Sequence, residues 1–313
     1  METAVMCEIA VTHLFRRTSP PRAGTSHIRL NQNHGLLGTA TSGNTRGARY
    51  IQVVDGASSA QGFPDHFSNV AALYSESRPT YPQDLFAWLA EVAPGHDLAW
   101  DCATGNGQAA LGLAARFTHV VASDASPEQL SHATVHPRVE YRCFRAESPE
   151  LADASVDVVT VAQALHWFDH DLFYAQVRRT LRPGGVIAAW TYGKFHVVDA
   201  PEITTIMDDF HDRIVWPYWP PERSHVDTRY ANLDFPFDPI EAPAVDMRMT
   251  WNLDELLAYL GSWSSVSRYQ EAIGEDPRTS IVAPLREMWG DPGIRRDICW
   301  SLTVLAGIST PDT

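Results

Sequence analysis

From about Phe67 onward, apolar residues fall into short runs that switch between helical and strand spacing. Asp84–Ala93 (DLFAWLAEVA) has the spacing of an amphipathic helix, and Pro94-Gly95 stops it. Leu98–Asp101 is a brief apolar run that enters a glycine-rich turn, and Gln108–Phe117 carries alanines and leucines at helical spacing. Val120–Ser123 reads as a strand, followed by a helix start with Ser126 as N-cap and Pro127 at the first helical position. Val139–Cys143 is a third strand. Val156–Ala162 is a fourth, almost continuously apolar, as expected when both faces are buried. Asp169–Leu181 is a helix ended by Arg182-Pro183-Gly184-Gly185, and Val186–Trp190 is a fifth strand. This alternation predicts an α/β fold with a doubly wound parallel sheet. Ligands of such sheets sit beyond the carboxyl ends of the strands. Attention therefore falls on the loops after Asp101, Ser123 and Ala162.

The pattern changes at both ends. Residues 1–60 are rich in Thr, Ser, Gly, Asn and Arg, with six arginines against three acids, Glu2, Glu8 and Asp55. Such a stretch reads as a disordered or poorly structured extension, or as a start codon placed too far upstream. An organellar transit peptide is the competing reading, disfavoured because no clear amphipathic helix accompanies the arginines. After residue 193, Trp216, Tyr218 and Trp219 lie among prolines in what reads as a loop. Asn252-Leu-Asp-Glu255 has the form of a capped helix start, and Trp300–Ile308 reads as a last strand. The expected organisation is an extension over 1–60, a core over 61–193, and a C-terminal part over 194–313 that completes the sheet and forms a lid.

Composition narrows the partners. The 313-residue chain has a formal net charge of −14, and Lys194 is its only lysine. That charge disfavours nucleic acid and anionic membranes, and points to a small molecule. No run of 18 apolar residues exists, so a cytoplasmic location is expected. Cys7, Cys102, Cys143 and Cys299 are scattered, which argues against a disulfide framework or a zinc site, and no metal is expected. Oligomeric state is not legible.

The chemistry concentrates in Asp101-Cys102-Ala103-Thr104-Gly105-Asn106-Gly107. A strand ends in a carboxylate and enters a tight turn, and the following helix N-terminus presents free N–H groups. Two cofactors fit the glycines. Gly105-x-Gly107-x-x-Ala110 satisfies a dinucleotide pattern, and Asp124 stands near the distance expected of a ribose-binding acid. A pyrophosphate, however, would be repelled by Asp101. S-adenosylmethionine (SAM) carries no phosphate and has a cationic sulfonium and ammonium, which a carboxylate suits.

With those residues in view, the stretch from Tyr74 to about Gly193 resembles the class I SAM-dependent methyltransferases. Asp101–Gly107 is similar to their first motif, with Ala103 in place of its first glycine. Val121–Glu128, with Asp124 and Ala125, resembles the second, and Arg145-Ala146-Glu147 the third. Asp157–Trp167 resembles the fourth strand and its exit, including Gln163, Ala164 and His166. Leu181–Gly185 resembles the turn before strand five. Ala72–Pro82 and Ala164–Phe168, with Trp251, Tyr259, Trp263 and Trp289, also resemble a small-molecule subgroup that includes the trans-aconitate methyltransferases.

The resemblance implies a Rossmann-like, mostly parallel seven-stranded sheet with helices on both faces and an aromatic-rich C-terminal lid. It implies SAM as cofactor, held by Tyr74, Arg78, Asp101, Ala103, Thr104, Gly105, Gly107, Asp124, Ala125, Ala146, Glu147, Gln163 and Ala164. Tyr74 and Arg78 would lie on a segment covering the cofactor, Arg78 pairing with its carboxylate. The acceptor would be a small molecule, a carboxylic acid among the candidates. His166 is the candidate base, and Trp167, Trp216 and Trp219 are candidate substrate contacts. An NAD-dependent oxidoreductase and a non-catalytic SAM-binding protein are the alternatives.

Overall fold

A computed structural model describes residues 79–309. Tyr74, Arg78 and the 1–60 extension lie outside the described residues. The first helix, α1 (Gln83–Val92), leads into β1 (Leu98–Cys102), α2 (Gln108–Ala114) and β2 (His119–Asp124). Next come α3 (Pro127–Ser131), β3 (Val139–Cys143), β4 (Val156–Ala162), α4 (His170–Thr180) and β5 (Leu181–Thr191). Ser126 caps α3 by accepting the Gln129 N–H, and Asp169 caps α4 by accepting that of Leu172.

The main sheet has seven strands in the order β3-β2-β1-β4-β5-β10-β7, where β7 is Asp238–Pro239 and β10 is Thr303–Ile308. The first five are mutually parallel, and β10 is antiparallel to β5. The parallel strands are nearly continuous in apolar residues because both faces are covered. Ala99, Val158 and Val186 face α1 and α2, among Leu85, Phe86 and Leu113. Their neighbours Trp100, Val159 and Ile187 face α4, among Phe173 and Val177.

Between β5 and β10 the chain makes a second core. Its frame is a three-stranded antiparallel sheet of β6 (His196–Val197), β9 (Arg296–Ser301) and β8 (Asp246–Trp251). Around it lie α5 (Pro201–Asp209), α6 (Arg223–Asp227), α7 (Leu253–Gly261), α8 (Ser264–Ile273) and α9 (Thr279–Trp289). The predicted start of α7 is a complete capping box, with Asn252 and Glu255 each accepting the other's backbone N–H. Trp251, Trp263, Trp289 and Trp300 are buried in this core. The insert's two ends meet where Thr191 and Thr303 face each other across the β5–β10 ladder, and β7 within it returns to the main sheet beside β10.

Three expectations change. Trp300–Ile308 is not one strand. The chain crosses between the two sheets at Leu302, whose N–H leaves both ladders for the Val245 carbonyl, 3.0 Å away. The Pro183-Gly184-Gly185 turn is an irregularity inside β5, because pairing already begins at Leu181 opposite Val156. The segment expected as an aromatic loop is helical: a π-helix over Phe210–Val215 runs into a 3-10 turn over Trp216–Tyr218. Among the described residues, no helix is long and apolar enough to cross a membrane.

The contact between α1 and α2 makes a stability test. A Cβ at Gly112 would overlap the ring of Phe86, which is itself fully buried. Alanine would gain roughly 1 kcal/mol of helix propensity over glycine, but overpacking costs about 1–3 kcal/mol. Gly112→Ala is therefore expected to be net destabilising in urea unfolding. A stabilised variant would mean that Phe86 has room to move.

Candidate active site

The carboxyl ends of β1, β2 and β4 converge on the loop Ala103–Gly107. Asp101, last but one in β1, is buried, and each of its oxygens is engaged. The Thr104 hydroxyl donates to one, and the Thr160 hydroxyl of β4 donates to the other at 2.8 Å. Burial pushes its carboxyl up to about 6, against the lowering effect of those hydroxyls and of the Ala110 backbone N–H. Asp124, at the end of β2, accepts the Gly105 N–H at 2.9 Å and the Ser126 N–H at 2.9 Å. Its pKa is also raised, by burial.

The loop's own donors are mostly engaged within the protein. Thr104 N–H donates to the Ser123 carbonyl at 2.9 Å, and Gly107 N–H to the Thr104 carbonyl at 3.0 Å. Ala103 has φ 54°, a left-handed conformation that favours glycine, the residue usual at that place. Gly107 has φ 90°, and a Cβ there would overlap the Tyr141 hydroxyl. The side-chain oxygen of Asn106 is buried without a partner among the described residues. The loop thus presents acceptors: two carboxylates and an unpartnered amide oxygen.

The neighbouring candidates form the rest of the wall. Glu147 accepts the Asp169 N–H at 3.3 Å and pairs with Arg145, tying the exit of β3 to the start of α4. Ala146 is buried and Ala125 half-buried beside Asp124. Gln163 also has a left-handed backbone, φ 58°. Its side chain receives the Thr191 hydroxyl at 2.7 Å and donates to the Tyr192 carbonyl at 3.0 Å, so it clamps the exit of β4 to that of β5. Ala164 is buried and begins the 3-10 turn Leu165–Trp167.

His166 is buried with Nδ1 3.1 Å from the Tyr230 hydroxyl. Burial, then Arg223, His225 and His170, hold its pKa well below the ordinary histidine value, so the ring is neutral at physiological pH. Trp167 packs against it at 4.5 Å between ring centroids, with an indole N–H that has no partner among the described residues. Trp216 and Trp219 part company. Trp216 is 42% exposed, whereas Trp219 is turned into the second core, with the Arg223 guanidinium 4.4 Å from its ring centre.

A cavity of about 610 Å³ lies beyond β5, and Thr191, Lys194, His211, Trp216, Arg229 and Thr303 are among its lining residues. Through the Thr191–Gln163 bond its wall abuts the exit of β4. Sequence reasoning had missed Thr160, Thr191, Tyr230 and His211. Thr160 is a hydroxyl inside an apolar strand, a signal that could have been read. Tyr230 gave none, because its inward position follows from two consecutive left-handed residues, Arg229 (φ 56°) and Tyr230 (φ 61°).

Asp101 offers a pH test. Its value of about 6 stands above the 3.8 of an open chain. Between about pH 4 and pH 6 the unfolded chain releases a proton that the native state retains, so stability falls as pH rises through that window. At 1.36 kcal/mol per unit the loss is roughly 3 kcal/mol. Asp101→Asn removes this titration. In urea unfolding, the variant should gain on the native protein by roughly that amount between about pH 4 and pH 7. A difference independent of pH would show that Asp101 is not shifted.

Comparison with known proteins gives a consistent picture. The methyltransferase domain family matches residues 100–189. A Dictyostelium discoideum protein named as a methyltransferase is 31% identical over 225 residues, covering 71% of this chain and 86% of its own length. A Mycobacterium tuberculosis protein named as an uncharacterized methyltransferase is 38% identical over 120 residues, covering 38% of this chain and 49% of its own. A solved structure from Anaeromyxobacter dehalogenans, titled a type II methyltransferase, is 44% identical, with a TM-score of 0.71. The match covers 75% of this chain and 99% of that one.

Proposed function

The chain belongs to the class I methyltransferase family, and on that footing we propose that it transfers the methyl group of SAM to a small-molecule acceptor. The observation that carries the cofactor reading is the state of the glycine loop. The N–H groups of Thr104, Gly105 and Gly107 are already bonded within the protein, and two carboxylates flank them. A pyrophosphate needs free donors and would meet negative charge. A ligand with an ammonium, a sulfonium and ribose hydroxyls brings donors and positive charge to the acceptors that are there.

In this reading Asp124 accepts from the ribose hydroxyls with the lone pairs that its two N–H bonds leave free. Asp101 and the backbone of Ala103, Thr104, Gly105 and Gly107 face the methionine end, where Asn106 supplies a further acceptor. Ala125, Ala146 and Glu147 border the adenine, and Gln163 and Ala164 close the β4 side. Tyr74 and Arg78, outside the described residues, would cover the site. The cofactor supplies a methyl group activated by a positive sulfur. The protein's part is to align the acceptor with it and to exclude water. Trp167 walls the site, Trp216 borders the acceptor cavity, and Trp219 supports it from the core.

The acceptor atom decides whether a base is needed. A carboxylate, the acceptor that the subgroup resemblance suggests, attacks without one, whereas a hydroxyl gains from proton removal. His166 is one candidate base. Its Nδ1 is engaged with Tyr230, which leaves Nε2 for that role.

Calorimetric titration with S-adenosylhomocysteine should show binding to the native protein and none with NAD. Asp124→Asn should weaken that binding by roughly 1–3 kcal/mol, the range for a charge-assisted hydrogen bond. Tight NAD binding with no response to S-adenosylhomocysteine would sink the cofactor reading, and unchanged affinity in the variant would remove Asp124 from the site.

A further inference from the structure

His211 and Asp212 lie on the π-helix Phe210–Val215, a backbone form frequent at functional sites. The His211 side chain is 2% exposed, and its Nδ1 is 2.8 Å from a carboxylate oxygen of Asp212. A carboxylate accepts and does not donate, so in the neutral ring Nδ1 carries the hydrogen and Nε2 carries a lone pair. That Nε2 is buried and has no hydrogen-bond partner among the described residues. A buried acceptor with nothing to accept is an unfavourable state, which a ligand's proton would relieve.

The surroundings specify the ligand. His211 lines the cavity beyond β5, where Thr191 connects the wall to Gln163 and hence to the exit of β4. One indole, Trp216, lines the cavity beside the imidazole at 5.9 Å between ring centroids, while the buried Trp219 and Trp263 back the imidazole from the core at 6.0 Å and 5.8 Å. Among otherwise polar lining residues, the face of Trp216 suits an aromatic ring. The other oxygen of Asp212 is 2.7 Å from Lys194 Nζ, so the carboxylate that orients His211 is itself held.

Titration agrees with a base that is free at neutral pH. Burial lowers the His211 pKa. The Asp212 hydrogen bond and Asp227 raise it, while Arg223 and Lys194 lower it, and the net shift is downward. Against the upward pull of partial burial, hydrogen bonds from Lys194 and His211 keep Asp212 below the usual carboxylate value. The dyad therefore rests as neutral imidazole beside ionised carboxylate.

We propose that His211, oriented by Asp212, is the general base for a phenolic hydroxyl acceptor bound in this cavity. The acceptor's O–H bond breaks, its proton passes to Nε2, and the electron pair stays on oxygen. That oxygen bonds to the methyl carbon while the methyl–sulfur bond breaks, its pair returning to sulfur to leave a neutral thioether. The imidazolium is stabilised by Asp212 and later releases its proton to water. Asp212 touches no reacting atom and is a positioning residue. This inference rests on the methyl-transfer reading above, and it selects a hydroxyl over a carboxylic acid, which would need no base.

The test uses the full chain saturated with S-adenosylhomocysteine and 4-nitrophenol as probe, whose phenolate absorbs at longer wavelength than the phenol. The native protein should bind 4-nitrophenol with its hydroxyl donating to His211, which moves the phenol band toward longer wavelength, His211→Gln should abolish that shift, and Asp212→Asn should weaken it. Nitrogen-15 NMR of labelled histidine, assigned by loss of signal in His211→Gln, should show His211 with hydrogen on Nδ1. Asp212 is about half exposed, so Asp212→Asn preserves the core even if His211→Gln does not fold. It should lower the His211 pKa further. With a phenolic substrate, His211→Gln should reduce kcat by about 10²–10⁴-fold and regain part of it at high pH. Hydrogen on Nε2, or no band shift in the native protein, overturns the base role while leaving methyl transfer standing. Failure to bind S-adenosylhomocysteine at all removes both readings.

Discussion

The site depends on keeping a carboxylate dry. Asp101 is enclosed at the tip of β1, and its charge is tolerated because hydroxyls from two other segments point at it. Thr160 brings β4 to it, and Thr104 brings the glycine loop. The same loop is drawn from the opposite side by Asp124 through the Gly105 N–H. Burial alone would neutralise such a group, and without the hydroxyls it would be an unpaired polar atom in the core. Three strand ends and one loop are thus registered by two acids, and the loop's shape follows from them as much as from its glycines. That explains how Ala103 can hold a left-handed backbone, at a cost of about 1–2 kcal/mol: the bonds on either side leave it no other conformation.

Most of the parallel sheet was legible because its physics is local. Strands buried on both faces are apolar throughout, helices between them carry one apolar stripe, and Ser126, Asp169 and Asn252 announce helix starts by their own side chains. The acids at the ends of β1 and β2 stood out for the same reason. What could not be read depended on distant partners. Nothing near Trp300 says that its strand belongs to one sheet and the strand beginning at Thr303 to another. Trp216 and Trp219 look alike in sequence, yet a 3-10 turn sends one outward and the other inward. His211 followed by Asp212 has no meaning until burial removes the alternative partners of the ring.

The second core differs from the first in kind. The sheet's faces mix aliphatic and alanine side chains with aromatics such as Trp100, Phe173 and Trp190, whereas the insert gathers Trp219, Trp251, Trp263, Trp289 and Trp300 with Tyr192 and Tyr259 among its aliphatic residues. Buried indole N–H groups at Trp219, Trp263 and Trp300 find no aligned acceptor among the described residues, and the Tyr259 hydroxyl lies unaligned beside the last two. Arg223 is also buried there, lying over Trp219 with its Nε 3.4 Å from Asp227. A core with surplus polar atoms is less stable than an aliphatic one of equal size, but it has orientations to offer a ligand.

The ladder pairing of Thr191 with Thr303 has a consequence for the insert. The insert's two ends are fixed side by side by the main sheet, so closing it imposes little constraint on its length or interior. Stretches of the insert away from β7 can be lengthened, shortened or repacked while Asp101, Asp124 and the loop between them stay where β1, β2 and β4 hold them. The second core is thus tied to the main sheet at its two ends and again at β7, and the stretches between those ties are where its shape can vary.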